Sequence, residues 1–240
     1  MKISVALAAY KGEKYLGEQI ESILPQLGPM DEIVVSDDLP GGETQKVVEF
    51  YSEYDSRVRY IKGPGRGVCS NFENAITHCS GDVIFLCDQD DVWLPNKVSR
   101  VMEEIENGAD LVMHDARVTD ASLNIKQNSF FAMHNTRLGF AANFARNSFV
   151  GCCMAFRSEL KKIVLPFPQD LPMHDQWIGL LTELYGRVKL INEPLILYRR
   201  HGENVTGGRA SVAHKLKWRF DLAKELARRT SEVNKDRGVK

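Results

Sequence analysis

The stretch VIFLCDQDDVWLPNK, residues 83–97, joins a run of apolar residues to three aspartates within four positions. The apolar run predicts a buried strand, and the aspartates follow where that strand ends. Crowded carboxylates repel one another and raise each other's pKa values unless a cation or hydrogen-bond donors stabilise them. A divalent metal ion at this end of the strand would meet that requirement.

The alternation of strand and helix extends over the first 110 residues. Apolar runs at 3–9, 32–38, 58–61, 82–88 and 110–115 alternate with stretches of helical spacing at 15–24, 43–54, 68–79 and from Pro95 onward. This alternation predicts an α/β fold whose mostly parallel central sheet is flanked by helices. In such sheets ligands bind beyond the carboxyl ends of the strands.

Distinctive residues follow the predicted strands at that end. The first strand ends in Ala-Ala-Tyr at 8–10, the second in Asp37-Asp38 and the fourth in the acidic group at 88–91, while the glycine-rich GPGRG, 63–67, follows the third. We therefore expect all four segments to lie along one edge of the sheet. Acidic loop residues also form turns and cap helices, which is the structural alternative for each pair.

The spacing of the acidic group favours a metal–diphosphate site. Asp88 and Asp90 alternate along an extended segment, so they point the same way while Gln89 points elsewhere. Oxygen ligands of this kind suit Mn²⁺ or Mg²⁺, which also bind phosphate oxygens. In the structural alternative, Asp91 caps the following turn and the other carboxylates are solvated.

The second half of the chain is less regular. Residues 124–147 show no periodicity, which predicts a mobile or substrate-shaping segment; 149–157 resemble a strand, 174–186 a helix, and 193–208 a strand running into a loop. Residues 210–236 predict a basic helix. We expect one domain of two halves, residues 1–115 and 116–208, followed by a basic tail, residues 209–240.

Composition limits the class of protein. The 240 residues are 43% hydrophobic and 26% charged, with a net charge of −1, as is ordinary for a globular protein. The five cysteines lack C-x-x-C spacing and fit reduced thiols, and no signal layout or membrane-spanning run is present. These features predict a cytoplasmic protein.

The charge is concentrated at one end of the chain. From Arg209 onward 10 Lys and Arg stand against 4 Asp and Glu. Such a helix is a solvated face, a homodimer contact, or a peripheral contact with anionic lipid at the inner face of the cell membrane. We expect no nucleic acid partner.

Several motifs together resemble one family. SVALAAYKGEKYLGEQIESIL (4–24), VVSDD (34–38), GD (81–82) and DQDDVWLPNK (88–97), in this order, resemble the inverting nucleotide-sugar glycosyltransferases of family 2, which have the Rossmann-like GT-A fold. The resemblance covers roughly residues 3–205. It implies that residues 1–115 form the nucleotide-sugar-binding half of the domain and that residues 116–208 form its acceptor-binding and catalytic half. The sequence departs from the family pattern at Lys11, where asparagine is usual, and at LPGG (39–42), which replaces a GS turn.

The resemblance implies a donor site. Ala8 and Tyr10 would flank the nucleotide base, Asp38 would accept the N3–H of uracil or thymine, and Asp88 would face the ribose or the sugar. Asp90 would be the chief metal ligand. Further candidates for contacts with the nucleotide, diphosphate, sugar or metal are Ala9, Glu13, Arg66, Asp91, Arg199, Arg200 and His201.

The resemblance also implies a catalytic base. Inverting transfer requires a carboxylate opposite the leaving group, and the family places it at the start of a helix beyond the metal motif. Asp175 in MHDQW matches, with His174 before it, although a helix cap explains an aspartate there equally well. Gly151 resembles the acceptor-side position, and Trp93 either stacks on a sugar or packs in the core.

DQDDVW together with YRRHGEN (198–204) looks most like the rhamnosyltransferase-like branch, which implies dTDP-L-rhamnose as donor, with a UDP-sugar as the other choice. The acceptor would be a bacterial surface polysaccharide or a lipid-linked glycan. Two alternatives stay open: a nucleotidyltransferase making an activated sugar, and a non-catalytic nucleotide- or carbohydrate-binding module. A nucleotidyltransferase would want a glycine- and lysine-rich loop after the first strand, where this chain has AAYKGEKY.

Overall fold

One nine-stranded sheet organises the chain in the computed structural model, which describes residues 1–202 and 212–238. Its strands are β1 (Ile3–Ala9), β2 (Glu32–Asp37), β3 (Val58–Lys62), β4 (Val83–Asp88), β5 (Val92–Trp93), β6 (Leu111–Thr119), β7 (Ile125–Gln127), β8 (Met154–Arg157) and β9 (Val188–Arg199). The helices are α1 (Leu16–Ile23), α2 (Glu43–Tyr54), α3 (Val68–His78), α4 (Lys97–Glu106), α5 (Phe130–His134), α6 (Phe140–Ala145), α7 (Lys161–Val164), α8 (His174–Tyr185) and α9 (Val212–Asp236).

The strand order is β3-β2-β1-β4-β8-β6-β9-β5, with β7 paired to β6. The first four strands are parallel to one another, and β6 is parallel to β9, whereas β8 runs antiparallel to both of its neighbours. The predicted α/β fold with a mostly parallel sheet flanked by helices is therefore confirmed. Because β1, β2 and β4 run in one direction, their carboxyl ends meet at one edge.

The central strands form because they are apolar on both faces. Val5, Ala6 and Leu7 of β1 and Phe85 and Leu86 of β4 are fully buried. Such continuous burial is typical of strands covered by helices on both sides. It leaves the polar residues at the strand ends as the groups that face solvent and ligands.

The structure differs from the predicted elements in several places. Helix α4 begins at Lys97 rather than near Pro95, because Asn96 has a left-handed backbone (φ 70°) that a helix cannot include. The segment 124–147, predicted to be mobile or substrate-shaping, contains β7, α5 and α6. Residues 151–153 form a 3₁₀ turn ahead of β8, which makes that strand shorter than the apolar run that predicted it.

The C-terminal helix packs against the body of the protein. Leu222, Leu226 and Val233 of α9 are buried, and the Tyr185 hydroxyl donates to the Thr230 carbonyl at 3.2 Å. The predicted loop beyond residue 202 and the first residues of the predicted tail helix lie outside the described residues. Of the helices described in 1–202 and 212–238, none combines the length and apolar character needed to cross a bilayer.

The predicted boundary between residues 115 and 116 falls inside β6, so one strand belongs to both halves of the proposed domain. The division into a nucleotide-sugar-binding half and an acceptor half therefore stays a prediction.

Candidate active site

The acidic group begins at the last residue of β4, beside the end of β1. Ala8 is paired with Asp88 across the two strands. Gln89 turns toward β1, where its side chain accepts a hydrogen bond from the Tyr10 N–H (2.8 Å) and donates one to the Tyr10 carbonyl (3.0 Å). This bridge joins the acidic group to the loop after β1 and leaves the Tyr10 ring 52% exposed.

The carboxylates of the group are strongly perturbed. Burial, together with repulsion from Asp90 and then Asp175, raises the pKa of Asp88 to about 7. Burial, with repulsion from Asp90 and Asp88, also raises the pKa of Asp91 well above its usual value. Asp91 Oδ1 accepts the Arg199 backbone N–H at 2.9 Å, while the buried Oδ2 has no hydrogen-bond partner among the described residues.

Two buried cations lie near this negative charge. Lys97 is fully buried, and its ammonium donates to the Cys152 carbonyl at 2.9 Å while lying 4.0 Å from the Trp93 ring centre. Its charge counters the rise in the pKa of Asp88, although burial remains the larger effect. Sequence reasoning gave Lys97 no role, because a lysine at a helix start is usually exposed.

Arg199 is the second buried cation, and its contacts correct the expectation that it closes over a diphosphate. Only 3% of the residue is exposed. Its guanidinium donates to the carbonyls of Asp90 and Ala121, both at 2.7 Å, and pairs with the Glu18 carboxylate. It also stacks on the Tyr15 ring at 4.5 Å. Arg199 therefore fixes the end of β9 against the acidic group.

His201 and Arg200 follow Arg199 and differ in placement. His201 Nε2 lies 2.7 Å from Asp90 Oδ2, and its ring packs on Tyr15 with centroids 5.1 Å apart. Arg200 is exposed, and its backbone N–H donates to the Thr119 carbonyl at 3.0 Å. Arg200 is thus the member of the predicted cationic group whose guanidinium faces solvent.

The donor atoms of the acidic group match the needs of a divalent ion. Asp88, Asp91 and Cys152 offer ligand atoms that all lie within 4.8 Å of one another. The hydrogen bond between the thiols of Cys152 and Cys153, and burial, raise the pKa of Cys152 well above its usual value. A cysteine sulfur is a soft ligand, whereas Mn²⁺ and Mg²⁺ prefer oxygen ligands, so Cys152 is not expected to complete the set.

Asp90 and His201 form the better-suited pair beside those carboxylates. A carboxylate oxygen and an imidazole nitrogen 2.7 Å apart are both ligands that Mn²⁺ accepts. Asp91 Oδ2, which has no hydrogen-bond partner among the described residues, is a further oxygen atom in the acidic group. The residues present therefore fit a divalent metal, and Asp90 as its chief ligand stays a prediction.

Asp38 lies at the end of β2 and holds the glycine-rich loop. Its carboxylate oxygens accept the backbone N–H groups of Gly65 and Gly67, both at 2.7 Å. Gly65 (φ 68°) and Gly67 (φ 92°) have the left-handed backbone that glycine adopts most easily. Each carboxylate oxygen can accept a further hydrogen bond, so the predicted reading of a base by Asp38 is compatible with these contacts.

Other predicted nucleotide residues lie at the end of β1 and in the segments that follow β1 and β3. Ala9 is buried, and its carbonyl accepts the Asp38 N–H at 2.8 Å. Glu13 accepts a hydrogen bond of 3.1 Å from the hydroxyl of Thr44, which itself accepts the Gly12 N–H. Arg66 is exposed within the glycine-rich loop. These contacts bring the predicted nucleotide residues to the edge that carries the acidic group.

Asp175 lies in the first turn of α8, with 7% of the residue exposed. Its Oδ1 accepts the Gln176 N–H at 2.6 Å and the side-chain amide of Asn147 at 3.1 Å. Burial raises the pKa of Asp175 to about 6, even though hydrogen bonds from Gln176, Asn147 and the Gly151 backbone act in the opposite direction. The 151–153 turn lies between the two groups: a β-carbon at Gly151 would lie 3.8 Å from Asp175 Cβ, and the Cys152 thiol lies within 4.8 Å of ligand atoms of Asp88 and Asp91. Asp175 is therefore near enough to Asp88 for their repulsion to contribute to the raised pKa of Asp88.

Asn147 is a site residue that sequence reasoning missed. It lies in the stretch without periodicity, 28 residues before Asp175. Its own orientation is fixed by the Phe149 N–H, which donates to Asn147 Oδ1 at 2.9 Å. Nothing in the local sequence signals this contact, because it depends on how α8 meets the segment after α6.

His174 and Gly151 pack beside the candidate base. The His174 ring stacks on Phe72 with centroids 4.1 Å apart, and burial lowers the pKa of His174 to about 3. A β-carbon at Gly151 would lie 2.7 Å from His174 Nε2, so only glycine lets the 151–153 turn approach α8 this closely. His174 is therefore a neutral packing residue.

Trp93 and Trp177 both pack in the core, which is the second of the two alternatives given for Trp93. Trp93 is 3% exposed and lies against Phe85 and Lys97. Trp177 is fully buried, and its indole N–H donates to the Val164 carbonyl at 2.9 Å. Neither ring faces the site.

Sequence comparisons identify the known proteins that this chain resembles. The profile of the family "Glycosyl transferase family 2" matches residues 4–164. The uncharacterized glycosyltransferase alr2836 of Nostoc sp. is 28% identical over 217 residues, which are 85% of this chain and 66% of that protein. The dTDP-rhamnosyl transferase RfbG of Shigella flexneri is 25% identical over 230 residues, or 89% of this chain and 77% of that protein. The chain thus spans about two thirds of the length of the Nostoc relative.

Solved structures share the fold. The S. aureus TarS 1–349 complex with UDP-GlcNAc has a TM-score of 0.70 at 18% identity, covering 88% of this chain and 62% of that one. Glucosyl-3-phosphoglycerate synthase from Mycobacterium tuberculosis, in complex with Mn²⁺, UDP and phosphoglyceric acid, has a TM-score of 0.59 at 20% identity, covering 95% of this chain and 78% of that one. The chain has the GT-A fold of these neighbours.

Proposed function

Because the chain belongs to glycosyl transferase family 2, we propose that it is a metal-dependent, inverting enzyme that moves a sugar from a nucleotide diphosphate to a glycan acceptor. One observation carries the proposal. Asp175, a buried carboxylate with a raised pKa, belongs to the same site as the acidic group that follows β4. An inverting single displacement requires a carboxylate base near the residues that bind the leaving diphosphate.

In the proposed reaction the acceptor hydroxyl attacks the anomeric carbon. Its proton passes to the Asp175 carboxylate, a new carbon–oxygen bond forms, and the bond to the nucleotide diphosphate breaks with inversion. A base whose pKa is about 6 is a stronger proton acceptor than an ordinary aspartate and is still ionised at neutral pH. Asn147 holds the receiving carboxylate in place through its 3.1 Å hydrogen bond.

Asp90 and His201 are the proposed metal-holding residues, with Asp88 directed to the ribose or the sugar and Asp91 behind them. When bound there, Mn²⁺ or Mg²⁺ would stabilise the negative charge that develops on the leaving diphosphate. The M. tuberculosis structure in complex with Mn²⁺ and UDP supports this choice of cofactor. Arg199 keeps the supporting β9 segment fixed through its contacts with Asp90 and Glu18.

The proposed donor is dTDP-L-rhamnose, with a UDP-sugar as the second candidate. The similarity to a dTDP-rhamnosyl transferase over 89% of the chain supports the first, and the fold shared with TarS in complex with UDP-GlcNAc supports the second. Asp38 would accept the N3–H that thymine and uracil have in common. The proposed acceptor is a bacterial surface polysaccharide or a lipid-linked glycan.

The family match favours sugar transfer over nucleotidyl transfer, since the matched profile is that of glycosyl transferases. A non-catalytic binding module with the same site would bind the nucleotide without turnover. Loss of transfer on removal of the Asp175 carboxylate distinguishes the two.

The donor and the metal are tested together by ligand-induced stabilisation. Thermal unfolding is followed with UDP, dTDP, GDP and CDP, each with Mn²⁺ or with a chelator, because a ligand that binds the folded state raises the melting temperature. We expect a rise with dTDP or UDP that requires Mn²⁺ and is lost in Asp90→Ala. Equal calorimetric affinity of the parent protein for the nucleotide with Mn²⁺ and with chelator would contradict the metal assignment.

A further inference from the structure

The first half of α9 exposes large apolar side chains. Leu216 is 60% exposed and Phe220 is 72% exposed, and their spacing of four residues places them on one face of the helix. Trp218 between them is 38% exposed. Trp218 is turned to another side of the helix, but Leu216 and Phe220 together form an exposed apolar strip that a binding partner would cover.

The orientation of this patch is fixed by contacts on the opposite side of the helix. Leu222, Leu226 and Val233 are buried against the protein. Arg229 is also buried, and its guanidinium donates to the carbonyls of Ile163 (2.7 Å) and Leu165 (2.8 Å). Because one face of α9 is held in this way, Leu216 and Phe220 point outward rather than toward the sheet.

Positive charge lies beside the apolar patch. Residues 216–224 contain Lys217, Arg219 and Lys224 against the single acidic residue Asp221. Lys217 and Lys224 are exposed. In the part of the chain that the structure describes, the ion pairs of α9 involve Arg228 and Arg229 and not these lysines.

We propose that this outward face of α9, formed by Leu216, Lys217, Phe220 and Lys224 and called here the α9 face, docks onto an anionic lipid surface. Apolar side chains beside exposed lysines match the boundary between acyl chains and negative headgroups. A protein partner would need complementary shape, whereas a bilayer requires only this combination of an apolar strip and positive charge. The docking does not depend on the proposed transfer reaction.

The position of the α9 face adds weight to a lipid surface. The Arg219 guanidinium donates to the carbonyl of Ala145, the last residue of α6, at 2.7 Å. Two residues further on, Asn147 bonds to Asp175. The first half of α9 is therefore anchored to the same segment of the chain that positions the candidate base.

Vesicle co-sedimentation tests the proposal. The parent protein is mixed with vesicles of phosphatidylcholine alone, or of phosphatidylcholine with phosphatidylglycerol, at low and high salt. We expect binding to the anionic vesicles only, and weaker binding at high salt because exposed charges are screened. Leu216→Ser/Phe220→Ser and Lys217→Glu/Lys224→Glu should each weaken binding at least about tenfold.

Matched controls separate the α9 face from general surface effects. Phe50→Ser changes another exposed aromatic residue, 55% exposed on α2, and Lys62→Glu reverses an exposed charge at the end of β3. Both should bind vesicles as the parent does, and all variants should retain the parent's melting temperature within a few degrees.

Absence of parent binding to anionic vesicles, or parent-like binding by both α9 variants, would overturn the proposal. A parent dimer that Leu216→Ser/Phe220→Ser converts to a monomer, without any vesicle binding, would assign the face to a second copy of the chain and would also overturn it. Neither outcome bears on nucleotide binding, which is measured separately.

Discussion

The side-chain amide of Asn147 donates a 3.1 Å hydrogen bond to the Asp175 carboxylate, joining the segment after α6 to the first turn of α8. The carboxylate is buried and its pKa is raised to about 6, so its charged form depends on the few donors that reach it. Asn147 is a side-chain donor among them, and it is itself held by the Phe149 N–H.

Asn147→Ala should therefore lower kcat by about 10- to 100-fold, because a misplaced base loses much of its advantage. It should also raise the apparent pKa of the pH–rate profile, since a hydrogen bond that favours the anion is lost. Rates measured from about pH 5 to pH 8 check both effects. Asn107→Ala, at the exposed end of α4, is the control, and an Asn147→Ala profile identical to the parent's would show that the contact is only structural.

The proposed base gives a defined pH dependence in the parent enzyme. Because Asp175 must be ionised to accept a proton and its pKa is about 6, kcat/KM should rise about tenfold per pH unit below that value and level off above it. Initial rates at low acceptor and saturating donor concentrations measure this profile. An inflection at the ordinary aspartate pKa, or a profile flat from about pH 5 to pH 8, would argue against Asp175 as the base.

The same shift predicts how stability changes with pH. The folded pKa of about 6 exceeds the ordinary value of 3.8, so the folded protein binds this proton more tightly than the unfolded chain. The stabilisation that this bound proton gives to the folded protein is therefore fully present below about pH 4 and is lost as the pH rises to about 6. Asp175→Asn cannot ionise, so its free energy of unfolding should not fall with this titration. Between pH 4 and pH 7 that free energy should therefore increase by up to about 3 kcal/mol relative to the parent's. Urea unfolding of both proteins at pH 4 and pH 7 measures this difference. A variant that is more stable than the parent at pH 4 but not at pH 7 would contradict the prediction.

Arg199 and Arg200 should behave differently although they are adjacent. Arg199→Met removes the buried guanidinium that binds two carbonyls and Glu18, and should lower the free energy of unfolding by about 2–3 kcal/mol. Arg200→Ala, at an exposed position, should change it by less than about 0.5 kcal/mol. Urea unfolding distinguishes the two variants. An Arg199→Met variant that keeps the parent's stability but binds the nucleotide more weakly would instead support the predicted contact between Arg199 and the diphosphate.

The sequence was sufficient to predict the fold because its signals are local. Strands β1, β2 and β4 are largely apolar runs, of which β2 and β4 end in aspartate, and helix α2 was predicted with its observed bounds, Glu43–Tyr54. The placement of β8 between β4 and β6 could not be predicted. It depends on pairing between strands that are far apart in the chain, and the local hydrophobic periodicity does not indicate which strands pair.

The candidate site was predictable only in part for the same reason. Asp88 and Asp175 were recognised from motifs, and the structure brings them into one site. Arg199 was expected to face a ligand, yet it pairs with Glu18, which precedes it by 181 residues. A motif shows that a cation is present but not which carboxylate or carbonyl its side chain will meet.

Asp175→Asn gives the most direct measurement of the proposed mechanism. Nucleotide affinity is determined by calorimetry with Mn²⁺, and sugar transfer is followed with the donor identified in the nucleotide panel, for the parent, Asp175→Asn and the exposed control Asp170→Asn. We expect Asp175→Asn to bind the nucleotide within about twofold of the parent while transfer falls at least about 100-fold. Transfer at the parent's rate in Asp175→Asn would contradict the assignment of Asp175 as the base.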